Sequence, residues 1–226
     1  MNISKIHPAF LSLLLSLCAA SASAAAFSPL QIGIAGENLQ LVDSHTPVIG
    51  LRLNLPVSDN ETVGGLDIGL GSNVENFSGI RLNLSSWAGK AVRGIDVSLI
   101  GIGGDESEFD GIQIAGICAA SQMRGLQAGI VSYAATLRGL QIGLWSAACD
   151  LCGLQIGLAN FAESPRGIQL GIFNASDMPP QTCGTVHGVQ IGLVNLAATL
   201  HGVQIGLLNI VPDSDYPCLP FLRASF

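Results

Sequence analysis

The chain has 226 residues and a formal net charge of −7. Only 11% of its residues are charged, against 49% hydrophobic ones and a mean hydropathy of +0.51. Its length suits one large β domain, and the acidic balance argues against a nucleic-acid partner held through backbone phosphates. Beyond the leader, nothing approaches the roughly 18 consecutive apolar residues of a membrane-spanning helix.

Residues 1–26 read as a secretory signal peptide. Lys5 precedes an apolar run from Phe10 to Leu17, and the small residues from Ala19 to Ala26 offer cleavage at Ala22-Ser23-Ala24 or Ala24-Ala25-Ala26. Leu17 stands before Cys18 where a lipoprotein signal carries a small residue, so no lipid anchor is expected. Residues 27–226 are expected to form a single β-repeat domain.

That domain repeats one phrase. LQIGIAG at 30–36 opens it, followed by GLRLNL at 50–55, GLDIGL at 65–70, GIRLNL at 79–84 and GIDVSL at 94–99. Then come GIQIAG at 111–116, GLQAGI at 125–130, GLQIGL at 139–144 and 153–158, GIQLGI at 167–172, and GVQIGL at 188–193 and 202–207. From Gly111 onward every step between opening glycines is 14 residues, except one of 21. So short a period cannot hold a helix pair, and its apolar residues alternate with period two. Each unit is therefore one strand plus one turn, about 12–13 strands in all.

Within a unit, Leu140, Ile142 and Leu144 point to one side, and Gly139, Gln141 and Gly143 to the other. Ser72-Asn73, Asn160, Ser164-Pro165, Asn174 to Pro180, Asn195 and Asn209 read as turn residues. Ala115-Gly116-Ile117 reads as a β-bulge. The third position alternates in sign, Arg52, Asp67, Arg81, Asp96, and then becomes Gln113, Gln127, Gln141, Gln155, Gln169, Gln190 and Gln204. Opposite charges facing one another on neighbouring strands are worth about 0.2–1 kcal/mol a pair. The expectation is an in-register ladder of ion pairs continued as glutamines.

Two architectures satisfy this pattern. The expected one is an antiparallel meander closing as an outer-membrane-type β-barrel: about nine residues at about 3.3 Å and about 40° tilt span roughly 23 Å of apolar band. Its Leu/Ile side would face lipid, with the ladder lining the lumen. The nearly palindromic G-L-Q-I-G core and the terminal Phe226 favour it. So do the basic residues before the opening glycines (Arg93, Arg124, Arg138, Arg166, His187, His201), which an antiparallel array sends to opposite rims. The alternative is a β-solenoid, one coil per unit, with Leu/Ile as its core and the Gln ladder exposed. The 5% aromatic content and the uneven placement of long connections favour that one.

Candidate chemistry is sparse. GGDESEFDG at 103–111 gathers Asp105, Glu106, Glu108 and Asp110, oxygen ligands suited to Ca²⁺, yet the spacing matches no EF-hand and a solvated acidic loop is expected. Cys149-Asp150-Leu151-Cys152 lacks the second CxxC or nearby His of a zinc site. Cys118, Cys149, Cys152, Cys183 and Cys218 are an odd number for an oxidising compartment, so at most two internal bridges form. His45, His187 and His201 assemble with no Ser, Cys or carboxylate as a nucleophile arrangement. No enzyme and no cofactor are expected.

GLRLNL, GLDIGL and the serial GLQIGL with Asn two places on (Asn160, Asn174, Asn195, Asn209), ending in a Pro-rich, Phe-terminated tail, resemble a known group. It is the surface-repeat family of spirochaetes and other double-membraned bacteria. The likeness covers about residues 28–226. It implies export to the outer membrane or cell surface and brings no catalytic or binding residues. The expected role is structural or permeation, with outer-membrane lipid as partner and no protein or glycan indicated. The solenoid alternative implies a secreted or surface-tethered binding or adhesion module.

Overall fold

The computed structural model describes residues 27–33, 40–176 and 184–226. The signal peptide at 1–26 and Cys183 lie outside the described residues. Seven segments are extended: β1 (Ser28–Gly33), β2 (Val48–Gly103), β3 (Glu108–Ala175), β4 (Thr185–Ile191), β5 (Val194–Leu196), β6 (Thr199–Ile210) and β7 (Cys218–Ser225). The 68 residues of β3 would stretch beyond about 200 Å if straight. Instead the chain winds, and each turn lies on the one before.

Pairing between turns is parallel and in register. Ile95 faces Ile112 and Asp96 faces Gln113; Gly167 faces Gly188; His187, Gly188 and Gln190 face His201, Gly202 and Gln204. The result is a β-solenoid of about ten turns. The expected antiparallel barrel is therefore corrected. Several different side-chain ladders run through the repeat at once, and they stay aligned together only if every turn runs in the same direction.

The opening glycines show how tightly the turns stack. All eleven, from Gly50 to Gly202, have φ between +112° and +156°. A Cβ on Gly153 would lie 2.0 Å from the carbonyl oxygen of Gly139, and one on Gly139 would lie 2.2 Å from that of Gly125. Only glycine accepts both that φ and that close approach.

The inside and outside are also reversed relative to the solenoid alternative. Gln141 is 0% exposed, while Ile142 and Leu144 are 39% and 54% exposed. The turn's interior takes the third and eighth positions as polar ladders. It takes the tenth and thirteenth as an apolar core that includes Ala134, Leu137, Ala148 and Leu151. These side chains fill the space that a barrel would leave as a lumen.

The expected bulge is absent as well. The step from Gly111 to Gly125 is the standard length, and a Cβ on Gly129 would meet the carbonyl of Ala115 at 2.5 Å, fifth position over fifth position. The 21-residue step keeps register: Ser176 holds the tenth position and Gly184 the eleventh, and Gly167 still faces Gly188 while Asn174 faces Asn195.

Both ends are closed differently from the middle. At the start, β1 pairs parallel with β2, Gln31 beside Arg52, and the Gln31 amide exchanges hydrogen bonds with Val42: its Nε2 donates to the carbonyl at 3.2 Å, and its Oε1 accepts from the amide N–H at 2.9 Å. At the far end, β7 runs antiparallel along β6, with Arg223 opposite Gln204. This strand covers the edge that the last turn would otherwise offer to another chain. Phe226 lies past it, 95% exposed.

Candidate functional site

Two amide ladders run along the interior in opposite senses. In one, Nε2 of Gln204 donates to Oε1 of Gln190, Gln190 to Gln169, Gln169 to Gln155, Gln155 to Gln141, Gln141 to Gln127 and Gln127 to Gln113, at 2.8–2.9 Å each. Gln113 ends it on the Gly101 carbonyl at 3.2 Å. In the other, Nδ2 of Asn160 donates to Oδ1 of Asn174, Asn174 to Asn195 and Asn195 to Asn209, at 2.8–2.9 Å. These asparagines, expected in turns, are 0% exposed in the eighth position. Their steps of 14, 21 and 14 residues, the same as those of the opening glycines, were the signal for a second ladder. A glycine in the fifth position makes room for it: a Cβ on Gly171 would lie 2.5 Å from Nδ2 of Asn160.

A side-chain amide both donates and accepts, so identical amides stacked at the turn spacing satisfy one another without water. Each such bond contributes about 0.5–1.5 kcal/mol net, and an orphaned partner costs about 1–3 kcal/mol.

Toward the beginning of the solenoid the same position carries charge. Arg52 and Asp67 lie 3.8 Å apart, and Arg81 and Asp96 2.8 Å apart, all essentially unexposed. Asp67 also accepts from Nδ2 of Asn54 at 2.5 Å, Oγ of Ser72 at 2.6 Å and Nδ2 of Asn83 at 3.3 Å. Asp96 accepts from Oγ of Ser86 at 3.1 Å, and the Arg81 guanidinium stands 5.2 Å above the Phe77 ring. Burial pulls the Arg52 guanidinium below its ordinary pKa, with the Asp67 carboxylate opposing that shift. The alternating charges are thus gathered as two buried pairs.

The acidic loop does not gather its carboxylates around a common point. Asp105 and Glu106 sit in the turn between β2 and β3, whereas Glu108 and Asp110 lie 3.9 Å and 3.6 Å from the Arg124 guanidinium. Among the described residues no group of three or more metal-binding side chains occurs.

Cys118, Cys149, Cys152 and Cys218 are free thiols. Cys118 occupies an eighth position inside, and burial pushes its thiol up to about 11. Because the thiolate is the reactive form, iodoacetamide at neutral pH is expected to label the exposed Cys152 and Cys218 while sparing Cys118 until the chain is unfolded. Peptide mass spectrometry reads the order of labelling. Rapid labelling of native Cys118 would contradict the buried assignment.

The outer surface is where a partner can touch. The second, fourth and sixth positions form an aliphatic stripe without a charge in any unit from 50 to 207. Along it Ile68, Leu82, Ile142, Leu158, Ile172 and Leu207 are 38–57% exposed. The fifth-position glycines leave a shallow apolar groove in the stripe, walled near its end by Ile172, Leu193 and Leu207 and closed by Phe221 of β7. Basic residues precede the opening glycines along one border. Along the other border the rings of Trp145 and Phe161 stack at 4.7 Å and those of Phe161 and Phe173 approach to 5.8 Å. Aromatic residues are only 5% of the chain, and winding gathers several of them into one row. Comparison of the chain with protein-family models, with curated proteins and with solved structures returns no match.

Proposed function

We propose that the chain is an exported, non-enzymatic binding module of the bacterial surface, with the aliphatic stripe as its contact face. The observation that carries this reading is the exposure of that stripe on a backbone held by interior ladders. About ten turns at about 4.8 Å, each presenting five residues at about 3.3 Å, give a face of roughly 50 Å by 15 Å. That exceeds the roughly 300–600 Å² of the largest apolar patch on a typical monomer. Scattered apolar residues need no explanation, but a continuous uncharged stripe does.

Export is supported by Lys5, the apolar run to Leu17 and the small residues that follow, together with the likeness to surface-repeat proteins. A non-enzymatic role is supported by the repeat itself, in which His187 and His201 fall at equivalent positions and no nucleophile arrangement is seen.

A dye that fluoresces on apolar surfaces tests the contact face. The native chain is expected to bind it, and Leu144→Thr, Leu158→Thr and Ile172→Thr together should remove most of the signal. These side chains are 51–54% exposed, so the melting temperature should change little. Undiminished dye binding by a folded triple variant would sink the stripe as a contact surface.

A further inference from the structure

We infer that the aliphatic stripe docks onto a lipid bilayer bearing anionic headgroups, an inference that rests on reading the stripe as a contact face. Three features of the solenoid's exterior point to this partner.

The first is a row of cations. Arg93, Arg124, Arg138 and Arg166, followed by His187 and His201, all occupy the position before an opening glycine, and all are exposed. Parallel register stacks them: Arg166 faces His187, and the rings of His187 and His201 lie 5.2 Å apart. One residue, the opening glycine, separates this row from the nearest position of the stripe, a two-residue step of about 7 Å along an extended chain. Asp110 interrupts the row between Arg93 and Arg124, and Arg124 stands 3.6 Å from it; Cys152 interrupts it again between Arg138 and Arg166.

The second feature is the aromatic row on the opposite border. Trp145 is 51% exposed and stacked with Phe161; Trp87 and Tyr133, in equivalent stretches of other turns, are 43% and 41% exposed. Aromatic rings are favoured at the level of lipid headgroups, where one side of the ring is apolar and the other wet.

The third is where the negative charge goes. The chain is acidic overall, yet Glu75, Asp150 and Glu163 lie between the buried tenth and thirteenth positions, away from the stripe. Lys90, the cation on that side, is held by Glu75 at 2.7 Å. An apolar face bordered by cations and rings, with Glu75, Asp150 and Glu163 turned away and Asp110 as the one carboxylate in the cation row, complements a negatively charged bilayer. A second copy of the chain would have to oppose a row of carboxylates to the row of arginines, and no such row borders the stripe.

Sedimentation of the full chain with vesicles tests this. Vesicles of phosphatidylethanolamine with phosphatidylglycerol should carry the chain down, and vesicles of phosphatidylcholine alone should not. Arg93→Ala, Arg138→Ala and Arg166→Ala together should weaken binding about 100-fold, since each cation near an anionic surface contributes about a factor of five. The Leu144→Thr, Leu158→Thr, Ile172→Thr variant should lose binding altogether, with both variants checked for unchanged melting. Equal binding to the two kinds of vesicle, or no effect of the arginine changes, would overturn the anionic bilayer as partner. So would a chain that ignores vesicles and sediments as a dimer split by the threonine variant, although that outcome would leave the stripe a contact face. A monomer that ignores vesicles overturns the proposal too, and the dye measurement then tells whether the contact-face reading falls with it.

Discussion

Gly153→Val is expected to be among the most damaging single substitutions in the chain. The backbone there has φ +146°, and the new Cβ would meet the Gly139 carbonyl oxygen at 2.0 Å, its carbon at 2.9 Å and its nitrogen at 3.0 Å. Those are main-chain atoms of the turn below, which cannot swing aside. Holding a β-branched residue in that region costs about 1–3 kcal/mol, and forcing apart packed turns costs about another 1–3 kcal/mol. A loss of roughly 2–6 kcal/mol is a large part of the stability of an ordinary domain. Gly64→Ala supplies the control, because a Cβ there meets nothing nearer than 3.9 Å. Urea titrations followed by circular dichroism compare the two. Near-native stability of the valine variant would mean that the turns do not stack glycine on glycine.

Asp67→Ala is the second large effect. The carboxylate accepts three side-chain hydrogen bonds and faces Arg52, whose side chain is 0% exposed. Removing it leaves a buried guanidinium without its counter-charge, along with the amide donors of Asn54 and Asn83 and the Ser72 hydroxyl. Breaking one side of a buried pair typically costs about 3–5 kcal/mol, mostly the penalty of the stranded charge. The double change Arg52→Met with Asp67→Leu should therefore be more stable than Asp67→Ala alone, since it removes both charges and keeps the volume. Denaturant midpoints of wild type, single and double variants measure this. A double variant no better than the single would mean that Arg52 and Asp67 act independently.

Ile142→Asp should be mild by comparison. Ile142 is the central apolar residue of its unit, yet it is 39% exposed and packs in no interior ladder. The contrast with Gly153 and Asp67 shows where hydropathy misleads in this chain: the aliphatic second, fourth and sixth positions are outside, and the charged third positions Arg52, Asp67, Arg81 and Asp96 are inside.

The repeat was legible from the residues alone because stacking demands identity at a fixed interval. Gly at the first position, Gln at the third and the alternating Arg52, Asp67, Arg81, Asp96 declared a β array with neighbouring turns in register. The direction of those turns was not legible, because G-L-Q-I-G reads nearly the same either way and Gln beside Gln satisfies both arrangements. The faces were not legible either. Period-two alternation says which residues share a side, but not which side is enclosed. Closure decided that. A 14-residue turn has too little interior for three branched aliphatic side chains. It admits a glutamine lying along the stack, an asparagine or serine, an alanine and one leucine, as at Gln141, Ser146, Ala148 and Leu151. The sequence by itself determined the period, the strands and the ladders. Only the tertiary winding decided that the amides go inside, where each turn satisfies the next, and that the leucines and isoleucines are left on the surface.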